Sequence, residues 1–442
     1  MTGETKYAAR DVYFPIEVAS REYSGHIVLG VALALRGFTA TLGYKGAVGR
    51  AMEEASLPGV LFYKNYRKVT WAHLVARAVG QDPEGGFTST RFGDFFAWRS
   101  GLQMAESADA YFCYGQDDYE FLREALPAAN VCLTGSPRVM LWGEAAKLFY
   151  ADQIQQIRAR YGDFVLIASS GARGNPRYLK EEAEGRLGDE RRAILERDDM
   201  VANEMLHAAR HLARETKRRV VIRPHPAEDL EIWRQAVSQD PGVSLETCFD
   251  LAAWIHSADA VIHRTSTAGM EAAVASVPTI SYAESEERLE RDMVAMSTAT
   301  PDQVSVRVVG PDSLCAEVEK VTRGSGSSKT SEGVRSILQA KFRYPLEEAP
   351  ALICEEIERL GPWAPVSGLS VDRRRDLLVR SQSAWRDDER VGVADRPFGS
   401  KRRPFRPGRV AADVRNALRL LGADGTVHVR FRERDCFTLF CR

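Results

Sequence analysis

The stretch VYFPIEV (residues 12–18), GHIVLGVALAL (25–35) and RGFTATL (36–42) decides the fold. Residues 12–18 and 38–42 are short apolar runs typical of buried strands, whereas the apolar residues between them recur at helical spacing. Gly37 separates the helical segment from the second strand. A strand, a helix and a strand in this order predict a β-α-β unit with parallel strands.

The same pattern continues along the chain as two series of apolar runs, separated by segments long enough for helices. The runs lie at 60–63, 110–114 and 131–133, and then at 164–168, 220–222, 243–246, 260–263 and 279–282. They predict two doubly wound, Rossmann-like α/β domains, over 1–150 and 151–361, that face each other across a cleft. Ligands of such sheets bind outside the carboxyl ends of the strands, so the loops there are the candidate sites.

Charge is unevenly distributed along the chain. The net charge of all 442 residues is −1, but residues 362–442 carry 18 Lys and Arg against 10 Asp and Glu. In this basic extension, RPFGSKRRPFRPGR (396–409) has six positive charges and no acid, a composition typical of an extended segment. With Phe398 and Phe405 interleaved, it suits an anionic membrane surface. The alternative is a solvated linker to a small ordered segment over 410–442.

Several classes of protein are excluded by the composition. The longest apolar run, 27–35, is far shorter than the ~20 residues of a membrane-spanning helix, and the N-terminal residues lack the apolar core of a secretory signal. Seven cysteines without a Cys-x-x-Cys pair argue against a disulfide framework or a cysteine zinc site. We expect a cytoplasmic protein that requires no cofactor or metal and binds no nucleic acid.

A histidine between two prolines follows the run 220–222, in the sequence Arg223-Pro224-His225-Pro226. The prolines restrict the backbone and fix the direction of the imidazole. Beside Arg223, such a histidine suits an anionic ligand. A tight turn that holds a hydrogen-bonded histidine is the alternative.

Hydroxyl side chains follow the run 260–263, in the sequence Arg264-Thr265-Ser266-Thr267-Ala268-Gly269, before a helix expected to start near Gly269. Side-chain hydroxyls and backbone N–H groups at a helix N-terminus form a phosphate site. Glu271, expected in the first turn, is placed to accept hydrogen bonds from ribose hydroxyls. Ordinary helix capping by Ser and Thr is the alternative.

In the first domain, polar residues follow three apolar segments. Glu84 lies in the Gly-rich turn QDPEGG (81–86), and Glu17 and Arg21 follow the first strand. After the run 131–133, Gly135 and a proline shape a turn that contains Ser136 and Arg138. Arg138 could reach a phosphate or carboxylate there. Solvated turns are the alternative for the segments that contain Glu84 and Arg138.

Longer strings carry a resemblance to a known family. Seven strings spread over residues 11–345 resemble the bacterial surface carbohydrate biosynthesis proteins: FPIEVASRE, DPEGG, TGSPR, YGDFVLIASS, RPHPAED, HRTSTAGMEA and VPTISY. The second half of that family is similar to GT-B glycosyltransferases, including polysialyltransferases and Kdo transferases. In those enzymes a His-Pro pair and a Ser-Ser/Thr pair hold the phosphate of a CMP-sugar. His225-Pro226 and Ser266-Thr267 match these pairs.

The resemblance also implies roles for residues on both sides of the cleft. In polysialyltransferases an acidic pair before Gly supplies the general base; here Pro83 replaces the first acid, and Glu84-Gly85 keep the rest. Glu84 is therefore one acid/base candidate, and Glu17, at the carboxyl end of the first strand, is the other. The donor-binding candidates are Arg223, His225, Pro226, Ser266, Thr267 and Glu271, and the other cleft candidates are Arg21, Gly135, Ser136, Arg138, Ser169 and Ser170.

Together these features imply a metal-independent GT-B glycosyltransferase of surface polysaccharide biosynthesis. It would transfer an ulosonic acid, such as Kdo or a sialic-acid-like sugar, from a CMP donor to a glycan or lipid-linked acceptor, with peripheral contact to the inner face of the cytoplasmic membrane through 396–409. Two alternatives stay open. One is a UDP-N-acetylglucosamine 2-epimerase-like enzyme or UDP-sugar transferase. The other is a non-catalytic nucleotide-sugar-binding assembly component, which the Pro83 departure favours.

Overall fold

The computed structural model describes residues 10–55, 59–63, 76–80, 102, 105–106, 108–169, 182, 184–185, 188–225, 228–238, 240–264, 266–288, 299–323, 332–360 and 405–441. Within this part, contacts divide the chain into two compact units. The first comprises the described residues up to Leu141, those from Gln339 to 360, and 405–441; the second runs from Trp142 to Leu338.

The sheet of the first unit joins six parallel strands to an antiparallel hairpin. Its strands are β1 (Asp11–Ile16), β2 (Thr39–Tyr44), β3 (Gly59–Tyr63), β4 (Ala76–Gly80), β5 (Ala110–Cys113), β6 (Val131–Leu133), β13 (His428–Glu433) and β14 (Cys436–Phe440). They lie in the order β13-β14-β2-β1-β3-β4-β5-β6. The helices are α1 (Ala19–Leu35), α2 (Lys45–Ala55), α3 (Gln116–Ala125), α4 (Pro137–Met140), α13 (Ala349–Arg359) and α14 (Pro407–Leu420).

The sheet of the second unit is entirely parallel. Its strands are β7 (Phe164–Ala168), β8 (Arg219–Arg223), β9 (Val243–Leu245), β10 (Ala260–His263), β11 (Thr279–Ala283) and β12 (Val306–Val309), in the order β12-β11-β10-β7-β8-β9. This is the Rossmann order, and β7 is a fully buried apolar run, as expected of a central strand that is covered on both faces.

Helices cover the sheet of the second unit. They are α5 (Lys147–Tyr161), α6 (Asp189–Thr216), α7 (Leu230–Val237), α8 (Leu251–Ile255), α9 (Thr267–Val274), α10 (Ala299–Gln303) and α11 (Pro311–Thr322); α12 (Glu332–Lys341) contains the boundary between the units. Among the helices that the structure describes, none has both the length and the apolar character that crossing a bilayer requires.

The boundaries of the units differ from the sequence prediction, which divided the chain at 150/151 and 361/362. Trp142–Tyr150 lies in the second unit, and α13 lies in the first. Helix α13 packs against α1, where Arg36 Nη1 donates to Glu358 Oε2 over 3.1 Å. Because these contacts are made across more than 300 positions of sequence, apolar runs and linker composition alone did not indicate them.

Residues 405–441 are also part of the first unit and do not form a separate extension. Phe405 is buried, and its ring stacks on those of Tyr23 and Tyr44 at centroid distances of 5.5 and 4.9 Å. The Tyr23 hydroxyl donates to Asp413 Oδ2 of α14 over 2.9 Å. The predicted membrane contact of Phe405 is therefore wrong, because the ring is buried within the unit. The alternative of a small ordered terminal segment is confirmed for α14 and β13.

Helix α1 explains why this C-terminal segment is needed. Its residues Ile27, Val28, Leu29, Val31 and Leu33 are fully buried. A helix that is apolar on all sides must be covered on all sides. The sheet covers one side of α1, and α4, α13 and α14 pack against the remainder.

Candidate functional site

In the second unit, three adjacent strands end at the same level. Ala168, at the end of β7, is the register partner of both His263 on β10 and Arg223 on β8. Neighbouring strands lie about 4.8 Å apart, so the loops that follow these residues leave the sheet side by side. The strand order reverses between β7 and β10, which is where doubly wound sheets bind ligands.

The loop after β8 is organised by one buried carboxylate, Glu228. The Ser169 hydroxyl donates to its Oε1 over 2.7 Å, and the His225 amide (2.8 Å) and the Trp233 indole (3.2 Å) donate to its Oε2. The Glu228 amide donates to the His225 carbonyl over 2.9 Å, and the Ser169 amide donates to the Arg223 carbonyl over 3.0 Å. Glu228 thereby fixes the backbone at His225 and ties this loop to the end of β7.

The environment of Glu228 also changes its acidity. Burial raises the pKa of Glu228 to about 7, although the hydrogen bonds from Ser169, His225 and Trp233 favour the charged form. The nearby carboxylate of Asp198 raises the pKa further. Both protonation states of Glu228 are therefore populated near neutral pH.

Arg223, a predicted phosphate ligand, holds a neighbouring loop. Its Nη1 donates to the Cys248 carbonyl over 2.5 Å, its Nη2 donates to the Phe249 carbonyl over 3.1 Å, and its guanidinium lies 5.7 Å from the centre of the Trp254 ring. These contacts fix the segment after β9. Phosphate binding by Arg223 stays a prediction.

The loop after β10 leads into α9, which begins at Thr267, two residues before the predicted start. Ser266 is the N-cap residue, and its Oγ accepts a hydrogen bond from the Ala268 amide over 3.3 Å. Ser266 is half-buried and Thr267 is exposed. Glu271 falls in the second turn of α9, where its side chain is buried, and its predicted contact with a ribose stays untested.

The start of α9 rests on a buried imidazole, that of His263. The Ser266 amide donates to His263 Nδ1 over 3.4 Å, and His263 Nε2 lies 2.8 Å from Ser305 Oγ. Since Nδ1 accepts, Nε2 carries the proton and donates to Ser305, whose hydroxyl donates to the Pro301 carbonyl over 2.6 Å. Burial lowers the pKa of His263 to about 3, so the imidazole is neutral at physiological pH.

Gly269 permits this close packing. A Cβ atom at this position would lie 2.9 Å from His263 Cδ2 and still closer to Nε2 and Cε1. Beside it, the buried Arg264 donates to Glu204 Oε2 over 2.7 Å and to the Arg288 carbonyl over 3.0 Å. Both ends of the loop are thus held by buried polar side chains.

The first unit has an open pocket at the carboxyl ends of β1, β3, β5 and β6. It brings together three of the predicted cleft residues: Arg21, Ser136 and Arg138. The pocket is also lined by Pro15, Glu22, Gly25, His26, Leu29, Phe62, Tyr63, Tyr114 and Pro137. Two arginines beside several aromatic rings can contact an anionic sugar.

Glu17 and Gly135 lie next to this pocket. Glu17 Oε2 contacts Lys45 Nζ at 3.1 Å, and the Glu17 amide donates to Glu22 Oε2 over 2.7 Å. Gly135 has a φ of 73°, and a Cβ there would lie 3.2 Å from Ala349 Cβ. A glycine is therefore required where the turn before α4 meets α13.

Three predicted site residues lie outside the described part of the chain: Glu84, Ser170 and Pro226. In contrast, no motif in the sequence indicated a role for Glu228, His263 or Gly269. Each carries a recognisable signal, because His263 ends a buried apolar strand, Glu228 lies in the loop after another, and Gly269 interrupts a helix pattern. The signals do not identify the partner groups, which come from distant sequence.

Comparison with known proteins supports the architecture. No protein-family model matches the chain, and no curated protein matches it in sequence. The structure of the wall teichoic acid polymerase TagF matches with a TM-score of 0.52 and 11% identity, over 79% of this chain and 88% of that chain. A TagF variant soaked with CDPG for 30 minutes gives a TM-score of 0.52 and 12% identity over the same shares.

The S. aureus MnaA structure with UDP gives a TM-score of 0.48 and 11% identity, over 79% of this chain and 96% of that one. At 11% identity, the similarity to TagF establishes the fold alone. The chain therefore consists of two Rossmann-like α/β units of the kind found in GT-B glycosyltransferases, with an antiparallel hairpin added to the first sheet.

Proposed function

We propose that the chain is a glycosyltransferase that binds a nucleotide-activated donor through the second unit and transfers the sugar to a surface glycan or lipid-linked acceptor. The observation that carries this proposal is the set of three adjacent loops after β7, β8 and β10. They present Ser169, His225 and the capped N-terminus of α9 at the switch point of the sheet. Backbone N–H groups and hydroxyls at such a point favour a phosphate.

The chemistry follows from the charge of the leaving group. When the bond between sugar and phosphate breaks, negative charge grows on the departing phosphate. Fixed donors at His225, Ser266 and Thr267 would stabilise that charge most in the transition state. The buried supports at Glu228 and His263 keep the loops in place before the reaction, which limits the cost of reorganisation.

A CMP-activated ulosonic acid is the proposed donor, on the matches of His225-Pro226 and Ser266-Thr267 to the family pattern. The TagF variant soaked with CDPG supports a nucleotide-activated donor in general. In the first unit, we propose the pocket around Arg21 and Arg138 as the acceptor side, with Glu84 or Glu17 as the acid/base. Independence from metal is part of the proposal, and turnover is expected to persist in excess EDTA.

Calorimetry of the full chain with CMP, CDP and UDP tests the donor. Preferential CMP binding supports the proposal, preference for UDP favours the UDP-sugar alternatives, and no binding of any of the three contradicts a nucleotide site. His225→Ala is expected to keep the fold and lower donor turnover by about 10²-fold. His207→Ala, which removes an exposed histidine of α6, is the matched control and should leave turnover unchanged. Wild-type turnover in His225→Ala would end the phosphate role of that loop.

We still propose peripheral membrane contact through 396–409, but no longer through Phe405 or Arg409. Phe405 is buried, and Arg409 Nε contacts Asp413 Oδ2 at 3.5 Å. Co-sedimentation of the full chain with anionic and neutral liposomes is the test. A charge-reversed variant at Lys401, Arg402 and Arg403 that binds anionic vesicles as well as the wild type would exclude this contact.

A further inference from the structure

The Ser169–Glu228 hydrogen bond joins two groups that can each carry an exchangeable proton, at one point of the proposed nucleotide site. Ser169 Oγ and Glu228 Oε1 are 2.7 Å apart, and both side chains are buried. A serine hydroxyl has one proton to donate and two lone pairs with which to accept. When Glu228 is ionised, the Ser169 proton points to Glu228, so the hydroxyl can offer a ligand only its lone pairs.

Protonation of Glu228 reverses this hydrogen bond without disturbing the loop. A proton taken from solvent onto Oε1 can be donated to Ser169 Oγ, while Oε2 continues to accept from the His225 amide and the Trp233 indole. The Ser169 proton is then available to another acceptor. At the same time, the negative charge below the loop is removed.

We propose that Glu228 is a positioning residue that takes up a proton when the site binds a nucleotide phosphate, and so turns the Ser169 hydroxyl into a donor for that phosphate. This inference rests on the proposed function of the loops. Both consequences of protonation, loss of a buried negative charge and gain of a hydroxyl donor, favour an anionic ligand. Binding and proton uptake are therefore linked with the same sign.

The neighbouring charges are compatible with this linkage. Asp198 of α6 adds a negative charge near Glu228 and is paired with Arg197 at 2.5 Å. His225 belongs to the same loop, and Arg223 is bound to the carbonyls of Cys248 and Phe249. The pKa of Glu228, raised to about 7 by burial, brings the carboxyl group within reach of a proton at physiological pH.

The test is calorimetric titration of the full chain with CMP, CDP and UDP between pH 6 and 9, in buffers of small and large ionisation enthalpy. For each nucleotide that binds, the wild type is expected to take up protons above pH 7, so the observed enthalpy will depend on the buffer. Glu228→Gln keeps an oxygen for the His225 and Trp233 donors and offers an amide donor to Ser169. It is expected to bind without this proton uptake.

The ratio of the wild-type Kd to the Glu228→Gln Kd is expected to rise by up to about tenfold per pH unit above pH 7. The titration of the nucleotide's own phosphate, near pH 6, affects both proteins equally and cancels in this ratio. Glu231→Gln, an exposed position on α7, is the control and should behave as the wild type.

Ser169→Ala separates the hydroxyl from the charge. It is expected to weaken binding about tenfold at pH 6 and much less at pH 9, where the wild-type hydroxyl is directed to Glu228. Nucleotide binding with no proton uptake and a constant Kd ratio would overturn this inference alone. Failure of the wild type to bind any of the three nucleotides would overturn it together with the proposed function.

Discussion

The two units support the segments at the carboxyl ends of their strands in different ways. In the second unit the supports are buried polar side chains of the same unit: Glu228 below one loop, and His263 and Arg264 beside the next. In the first unit, helix α1, which contributes to the pocket lining, is covered by segments from far along the chain, namely α13 and residues 405–441. In the second unit, local polar contacts hold the loops in place, whereas in the first unit distant segments cover the apolar surface of α1.

This difference has a consequence for how each unit responds to substitution. Buried polar supports are sensitive to small changes in shape and to pH, because an unpaired buried polar group costs free energy. Apolar cover is sensitive to loss of volume. Changes in one unit are expected to leave the other largely unaffected where no partner is shared.

The largest effect is expected from Phe405→Ala. The ring is buried against Tyr23, Tyr44 and Phe437, so its removal leaves a cavity and should lower the free energy of unfolding of the first unit by about 3–5 kcal/mol. Denaturant unfolding, followed by hydrogen exchange in each unit, is the measurement. Leu148→Ala, at a side chain that is 53% exposed, is the control. A loss below 1 kcal/mol would show that the cover is dispensable.

A smaller effect is expected from Gly269→Ala in the second unit. In an ordinary helix this change stabilises by up to about 1 kcal/mol, but here the new Cβ meets the buried His263 ring. We expect a net loss of about 1–3 kcal/mol and weaker nucleotide binding. Gly333→Ala, at a helical glycine with open space around it, is the matched control and should be neutral or stabilising. Equal effects of the two substitutions on stability would show that His263 does not support α9.

The dependence of stability on pH tests the buried His263, one of the polar supports of the second unit. Above pH 6.5 His263 is neutral in both the folded and the unfolded chain, so its full contribution to the free energy of unfolding is present. As the pH falls from 6.5 toward the folded pKa of about 3, the unfolded chain binds a proton that the folded imidazole does not, and stability is lost at up to about 1.4 kcal/mol per pH unit.

His263→Asn removes this titration and keeps an acceptor near the Ser266 amide. Its unfolding free energy should therefore fall less steeply with acidification than that of the wild type, measured by denaturant unfolding between pH 6.5 and 4. His256, whose pKa burial lowers to about 4, is present in both proteins and cancels in the comparison. Parallel curves for the two proteins would mean that His263 is accessible to protons in the folded state.

The sequence predicted the parallel strands well for a physical reason. Strands covered on both faces are continuous apolar runs, and 131–133, 164–168 and 260–263 match the observed strands residue for residue. The loops after β7, β8 and β10 follow from the strand order, and the role of their candidate site residues stays a prediction. Strands β4, β12 and β14 were not predicted; β14 pairs with its neighbour β13 and with β2, which lies nearly 400 residues earlier in the sequence.

The supports of the site could not be predicted for a similar reason. Glu228 and His263 are visible as polar residues beside apolar runs, but their roles depend on Ser169 and Ser305, which tertiary structure brings to them. The assignment of 339–361 to the second domain failed because sequence gives no measure of which unit a helix such as α13 will cover. Separation in sequence, and not weak patterning, limited the prediction.

The smallest effect concerns the pairing that joins the hairpin to the first sheet. Thr41 of β2 and Thr438 of β14 are register partners, and their buried hydroxyl oxygens lie 3.2 Å apart. Thr438→Val leaves the Thr41 hydroxyl without this partner, whereas after Thr41→Val the Thr438 hydroxyl still accepts from Arg432 Nε over 3.1 Å. Replacing both threonines removes the hydroxyl that Thr438→Val alone would leave unpaired. The double variant should therefore be more stable than the sum of the single changes predicts, by about 0.5–1 kcal/mol. Thr279→Val in the second unit, combined with Thr41→Val, is the additive control. Additivity within error for Thr41 and Thr438 would mean that the hydrogen bond between their hydroxyls does not stabilise the pairing of β2 with β14.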